Sequence, residues 1–252
     1  MRTQIRPFVE PIPRAKKSSS TNVFSKERSL EAPELELVED LVPNARLKME
    51  GREFLSLLPQ DSVPVVFFDP QYRGVLEKLK FGNEGKTRGR RRFALAQMSE
   101  GMIAQFLTAI DRVLIPSGHL FLWLDKFHLC SGVAHWFTNT KLETVDLVTW
   151  DKGTIGMGYR TRRRAEYCLV AQKIPRRAKG IWTIHNIPDV YKERPFDKKE
   201  HPHSKPVELQ GQLLSAVSHR GDYVVDPAAG SFSVMQAAIN YDRNFLGCDL
   251  NG

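Results

Sequence analysis

Two short segments carry the residue types from which chemistry can be built. The first, Asp69-Pro70-Gln71-Tyr72, closes the apolar run Val63–Phe68. Proline lacks a backbone donor and fixes φ, so this turn is stiff. The Asp69 carboxylate and the Pro70 carbonyl can both accept hydrogen bonds from one amine. Tyr72 offers a flat face on which a base can stack. A base amine is a poor nucleophile because its lone pair is delocalised into the ring. Two acceptors near the nitrogen favour its rehybridisation toward sp3 during attack on a methyl group, with no metal or covalent nucleophile. Read alone, the segment is also a strand-terminating turn with a packed tyrosine.

The second segment is Asp226-Pro227-Ala228-Ala229-Gly230-Ser231-Phe232. Its small residues let a ligand approach the backbone closely, and N–H groups at a following helix start can receive a polar or anionic group. About twenty residues on, Asp249 can bind both hydroxyls of a ribose. Together these parts describe a nucleoside-binding half-site. The three-glycine dinucleotide fingerprint is absent, which argues against NAD.

These turns need strands to end on. Val63–Phe68 is continuously apolar, the mark of a strand buried on both faces of a parallel sheet. Further strands are expected at Ala45–Met49, His119–Leu124, Leu142–Trp150, Ala165–Ala171, Tyr223–Val225 and Asn244–Cys248. Apolar spacing predicts helices at 98–115, Val207–Ser218 and Ser233–Asn240, with another at Phe127–Phe137 and a helical turn at Glu53–Leu58. Pro116-Ser117-Gly118 reads as a turn from helix to strand. The alternation predicts an α/β fold: one open, mostly parallel sheet with helices on both faces and ligands outside the carboxyl ends of the strands. Residues 1–44, with three early prolines and the run Ser18-Ser19-Ser20-Thr21, read as a flexible N-terminal arm. Residues 31–40 within it are a candidate short helix, and the folded body is 45–252.

The chain has 252 residues, 41% of them hydrophobic, and a formal net charge of +8. The charge is local. Residues 73–92 hold eight Lys/Arg against two Glu, and 158–180 hold eight against one, which leaves −5 for the remainder. Scattered charge is ordinary solvated surface; two dense clusters point to a polyanion. Cys130, Cys168 and Cys248 have no metal or redox spacing and read as core residues of a reducing compartment. His185, His201 and His203 lack the carboxylate or thiol pattern of a metal site, so no metal is expected. No apolar run approaches a membrane span, and the expected location is cytoplasmic.

The two Asp-Pro segments, in this order, resemble the amino-methylating DNA methyltransferases that act on adenine N6 or cytosine N4. The order, catalytic half before cofactor half, is similar to the permuted beta class of bacterial and phage enzymes. Four further stretches match in order: Ser62–Phe68, Arg112–Gly118 with His119–Trp123, Trp150–Gly153 through Gly158 to Glu166, and His201–Pro206 with Leu209, Leu213 and Leu214. The resemblance implies a single Rossmann-like, seven-stranded, circularly permuted fold, in which Ala45–Met49 supplies the strand that otherwise follows Asp249; the chain need not then be truncated. It implies S-adenosylmethionine as cofactor, with contacts from Phe68, Asp69, Ser204, Lys205, Asp226, Ala228, Gly230, Ser231 and Asp249. Asp69, Pro70 and Tyr72 would be catalytic on a base flipped out of DNA.

DNA would be held by Arg88, Arg90, Arg91 and Arg92 after the catalytic motif. Arg160, Arg162, Arg163, Arg164, Arg176 and Arg177 would join them, beside a recognition segment spanning about 172–200 with Trp182, Tyr191 and Arg194. Trp123 and Trp150 read as core. Adenine N6 is implied over cytosine N4 because the motif starts with Asp, and a homodimer is implied because dimers occur in the class. Departures from the family pattern are Gln71 for the second proline, Ala228 for an aromatic, Phe232 for the last glycine, and Gly51-Arg52 for Gly-Asp. Gln71 leaves a DNA-binding homologue with impaired catalysis as the alternative.

Overall fold

A computed structural model describes residues 27–71, 98–156, 160–194 and 204–252. Among these described residues, eight strands form one sheet: β1 (Leu47–Lys48), β2 (Val63–Phe68), β3 (Leu114–Leu124), β4 (Leu142–Asp151), β5 (Ala165–Lys173), β6 (Val190–Lys192), β7 (Tyr223–Asp226) and β8 (Asn244–Asp249). Their spatial order is β1-β8-β7-β2-β3-β5-β4-β6. β5 runs antiparallel to both neighbours, and every other pairing is parallel. The N-terminal β1 therefore sits beside the C-terminal β8, as the permuted arrangement requires. The parallel strands all end at one edge of the sheet.

β2 lies at the centre, and all six of its residues are buried. Alternate side chains leave opposite faces. Val66 and Phe68 join a core with Phe54 and Leu55 of α1 (Gly51–Leu57) and with Ile103 and Phe106 of α2 (Glu100–Val113). Two further helices, α4 (Val207–Val217) and α5 (Ser233–Asn240), cover the other face. There Val65 and Phe67 meet Leu209 and Leu213 of α4 and Val234 and Ala237 of α5. α2 buries Ile103, Phe106, Leu107, Ile110 and Val113, the three-and-four spacing of one helical face. Ser99 caps it by accepting from the Met102 N–H.

Several expectations are corrected. The sheet has eight strands because Val190–Lys192 adds an edge beside Thr149–Asp151; three residues are too few to show a period. Pro116-Ser117-Gly118 does not separate helix from strand. β3 starts at Leu114, and these residues form an irregularity against β2, with Ser117 at φ 65°. The helix expected at Phe127–Phe137 breaks at Gly132, φ 80°, into α3 (Lys126–Ser131) and a 3-10 turn, Ala134–Phe137. α3 buries none of its residues, so Cys130 is exposed rather than core.

Residues 27–44, part of the stretch read as an N-terminal arm, are mostly exposed but touch the body at Arg28 and Leu41, and 31–40 form no helix. The Arg28 guanidinium donates to the Ile181 and Ser215 carbonyls at 2.7 and 3.0 Å and to Thr183 Oγ1, and Leu41 is buried in the core. Among the described residues no helix is long and apolar enough to cross a membrane.

Candidate active site

Strand order gathers the acids. β8, β7 and β2 are consecutive, so Asp249, Asp226 and Asp69 stand side by side at the carboxyl edge. Pro70 is buried. The Gln71 carbonyl accepts from the Met98 N–H at 2.7 Å, which anchors the backbone of the odd residue in the motif. Tyr72 lies outside the described residues.

Asp69 is held by an ion-pair chain that crosses the sheet. Lys205 Nζ donates to Asp69 Oδ2 at 2.7 Å and to Glu166 Oε2 at 3.1 Å. Glu166 Oε1 in turn accepts from Lys152 Nζ. Trp123 and Trp150 are core residues, as expected, and they also floor this chain. Lys205 Nζ lies 5.4 Å from the Trp123 ring centroid, and Lys152 Nζ lies 4.9 Å from that of Trp150. Burial opposes the charge on Glu166, but Lys205 and Lys152 outweigh it and hold the carboxyl at about 2. Burial likewise opposes the charge on Lys205, and Asp69 and Glu166 raise its pKa nonetheless.

Lys205 owes its place to α4. That helix starts at Pro206 with no side-chain cap of its own. Glu193, just beyond β6, supplies one: its carboxylate accepts from the Glu208 and Leu209 N–H groups at 3.1 and 2.9 Å. The Glu193 carbonyl accepts from Trp150 Nε1 at 2.8 Å. Sequence alone assigned no role to Lys152, Glu166 or Glu193. A lone acid inside the basic stretch 158–180 was a usable signal for Glu166; Glu193 had none.

The small-residue turn has the form a nucleoside cofactor needs. The Asp226 carboxylate is 3% exposed and accepts from the Ala228 N–H at 3.0 Å. Burial pushes its pKa well up, and Asp69 and Asp249 nearby add to the rise. A buried carboxylate so placed suits a ligand ammonium. Gly230 has φ 51° and open space where a Cβ would stand, and the adjoining N-terminus of α5 has no side-chain cap. Phe232 is buried at φ 57° and packs edge-on against Phe245, so it fills core where the family pattern has glycine. Asp249 ends β8 with Oδ1 accepting from the Asn251 N–H at 2.9 Å. These residues fit an amino-acid nucleoside. Ser204 adjoins Lys205, but Lys205 itself engages Asp69 and Glu166.

The arginines divide. Arg160, Arg162, Arg163 and Arg164 lie between β4 and β5 at the same edge as Asp69. Arg162 and Arg164 are exposed but engaged. Arg162 Nε donates to the Gly156 carbonyl at 2.9 Å, and Arg164 forks onto Asp151 at 2.6 and 2.7 Å. The Arg163 guanidinium stacks 5.6 Å from the Phe127 ring centroid. Arg176 and Arg177 are not brought to the site. They follow the carboxyl end of the antiparallel β5, at the opposite edge, where Arg176 pairs with Glu143 at 2.7 Å. The described part of the 172–200 segment starts at that far edge. Trp182 and Tyr191 pack on the core, and Val190–Lys192 joins the sheet. Arg88, Arg90, Arg91, Arg92, His201 and His203 lie outside the described residues. Among the described residues no group of three or more His, Cys, Asp or Glu is placed to hold a metal.

A parallel sheet with one reversed strand, acids on three adjacent strand ends and a small-residue turn define a Rossmann-like methyltransferase. A family of N6/N4 enzymes described as DNA methylase matches residues 170–252. The chain is 54% identical over 208 residues to the Type II methyltransferase M.HhaII of Haemophilus parahaemolyticus, covering 82% of this chain and 91% of that one. It is 34% identical over 80 residues to the DNA adenine methyltransferase YhdJ of Escherichia coli (strain K12), covering 32% of this chain and 25% of that one. The fold superposes on PvuII DNA methyltransferase (cytosine-N4-specific) with TM-score 0.61 at 14% identity, over 82% of this chain and 81% of that one. The chain belongs to the amino-methylating family of DNA methyltransferases, whose cofactor is S-adenosylmethionine.

Proposed function

We propose that this methyltransferase modifies the exocyclic N6 of adenine in DNA after base flipping, with Asp69, Pro70 and Tyr72 as its catalytic residues. The observation that carries the reading is the Lys205–Asp69 ion pair at 2.7 Å, on a strand end two strands from Asp249 and next to Asp226. S-adenosylmethionine, when bound, supplies an electrophilic methyl on a cationic sulfur. The protein must then aim a nitrogen lone pair at it. Asp69 and the Pro70 carbonyl accept from the amine, draw its hydrogens aside and turn the lone pair outward. The methylated nitrogen is cationic until it sheds one proton, and the Asp69 carboxylate is the acceptor at hand. Asp226 takes the cofactor ammonium, Asp249 its ribose hydroxyls, and the backbone around Gly230 and Ser231 its carboxylate.

Adenine is favoured by the Asp at the head of the motif and by the YhdJ similarity. The reading includes cytoplasmic action within a bacterial restriction–modification pair. It also includes a homodimer, for which exposed Val145, Leu147 and Val190 offer an apolar edge. Incubation of the full chain with labelled cofactor and mixed-sequence DNA, followed by digestion and mass spectrometry, is expected to give N6-methyladenine. N4-methylcytosine in its place would overturn the base assignment. DNA binding without incorporation would overturn the enzymatic one. Asp69→Ala is expected to abolish transfer and keep cofactor binding; surviving transfer would remove Asp69 from catalysis.

A further inference from the structure

We propose that Glu166, outside both motifs, is the positioning residue of the transfer step: acting through Lys205, it fixes the orientation of the Asp69 carboxylate. The inference rests on Asp69 being the acceptor for the amine.

The geometry is specific. β2, β3 and β5 are neighbours in that order. Lys205 reaches down onto all three, touching Asp69 at the end of β2, the Trp123 ring on β3 and Glu166 on β5. An ammonium has three donors and no preferred plane, so one carboxylate partner leaves it free to slide between both oxygens. A second carboxylate on the far side removes that freedom. With Glu166 Oε2 at 3.1 Å, the ammonium stays on Asp69 Oδ2 at 2.7 Å. Glu166 is itself restrained, because Lys152 holds its other oxygen. The four charges alternate in sign and sum to zero, so the chain tolerates partial burial. A buried ionic chain of this kind contributes little net stability compared with apolar packing. Its use is therefore geometric. The carboxylate plane that meets the amine is set by three strands instead of by one side-chain torsion. The low pKa of Glu166, about 2, is consistent with a carboxylate that stays charged throughout.

The test is single-turnover methyl transfer by the full chain, with dissociation constants for S-adenosylmethionine and DNA measured separately. Glu166→Gln keeps the shape and removes the charge. It is expected to slow transfer on the order of 10- to 100-fold, the scale of a misplaced catalytic group, while both dissociation constants stay within about two-fold. Because Glu166 acts through Lys205, the double variant Glu166→Gln/Lys205→Met should be no slower than Lys205→Met alone. Transfer by Glu166→Gln at the wild-type rate, a rate loss matched by weaker cofactor or DNA binding, or additive losses in the double variant would each overturn the proposal. If Glu166→Gln melts early, Lys152→Gln releases Glu166 from its other side. It should show a smaller loss in the same rate constant, and a wild-type rate there counts against the proposal. Asp69→Ala separates the two levels. Inactive Asp69→Ala with wild-type Glu166→Gln sinks only the positioning role, whereas active Asp69→Ala sinks the catalytic reading beneath it.

Discussion

The Glu193 carboxylate accepts from the Leu209 N–H at 2.9 Å, so a residue beside the sheet-edge strand β6 caps the helix that follows Lys205. A cap of this kind contributes about 1 kcal/mol. Glu193→Ala should therefore lower Tm by about 2–4 °C. It should also slow methyl transfer, because the N-terminus of α4 and Lys205 next to it lose their tie to β4. A melt lowered as expected with transfer at the wild-type rate would show that the cap serves stability alone.

Gly51 touches the cofactor turn from the outside. A Cβ there would collide with the Pro227 carbonyl oxygen and the Phe106 ring, neither of which is the free end of a flexible side chain. Gly51→Ala should cost about 1–3 kcal/mol, as overpacking does. The strain falls on the Asp226–Gly230 turn, so affinity for S-adenosylmethionine should drop with Tm. Equilibrium dialysis beside a thermal melt checks both, and unchanged affinity in a destabilised variant would place the collision on the Phe106 side only.

What the sequence made legible follows from which contacts are local. Val63–Phe68 was readable as a buried strand because all six residues face core. Asp69, Asp226 and Asp249 were readable because each ends such a strand, and parallel strands end together. The Lys205–Glu166 pair was not, because its members are 39 residues apart and meet only because the antiparallel β5 starts at the site edge. Val190–Lys192 is a strand only by virtue of its neighbour β4. Arg176 and Arg177 show the complementary case: they are close in sequence to Arg160–Arg164, yet a nine-residue strand carries them to the opposite edge.

The raised pKa of Asp226 has a measurable pH signature. Burial, then Asp69 and Asp249, favour its neutral form in the fold. A carboxyl with a raised folded pKa costs nothing at low pH, where both states hold the proton. The cost grows as pH climbs above its unfolded value near 3.8 and levels off beyond the folded value. Asp226→Asn removes that cost. The variant should match wild type in stability near pH 3 and exceed it at pH 7, with a Tm gain of about 2–4 °C per kcal/mol relieved. It should bind S-adenosylmethionine more weakly, since the proposed partner of the ammonium is gone. Equal stabilities across the whole pH range would mean that Asp226 is compensated in the free protein.

The division of the arginines gives the sharpest test of where DNA lies. Arg160 and Arg162 are exposed at the catalytic edge, and Arg176 and Arg177 are exposed at the other. Each arginine withdrawn from a phosphate lowers the slope of log affinity against log salt by about 0.9 on duplex DNA. Arg160→Ala/Arg162→Ala should flatten that slope and weaken binding across all sequences. Arg176→Ala/Arg177→Ala should leave both unchanged, because a duplex presenting a base to Asp69 lies against the catalytic edge. Binding isotherms between about 50 and 200 mM salt, the range over which phosphate binding weakens steeply, separate the pairs. If the Arg176/Arg177 pair carries the slope instead, the DNA wraps around the β4–β6 edge and does not lie against the loop between β4 and β5.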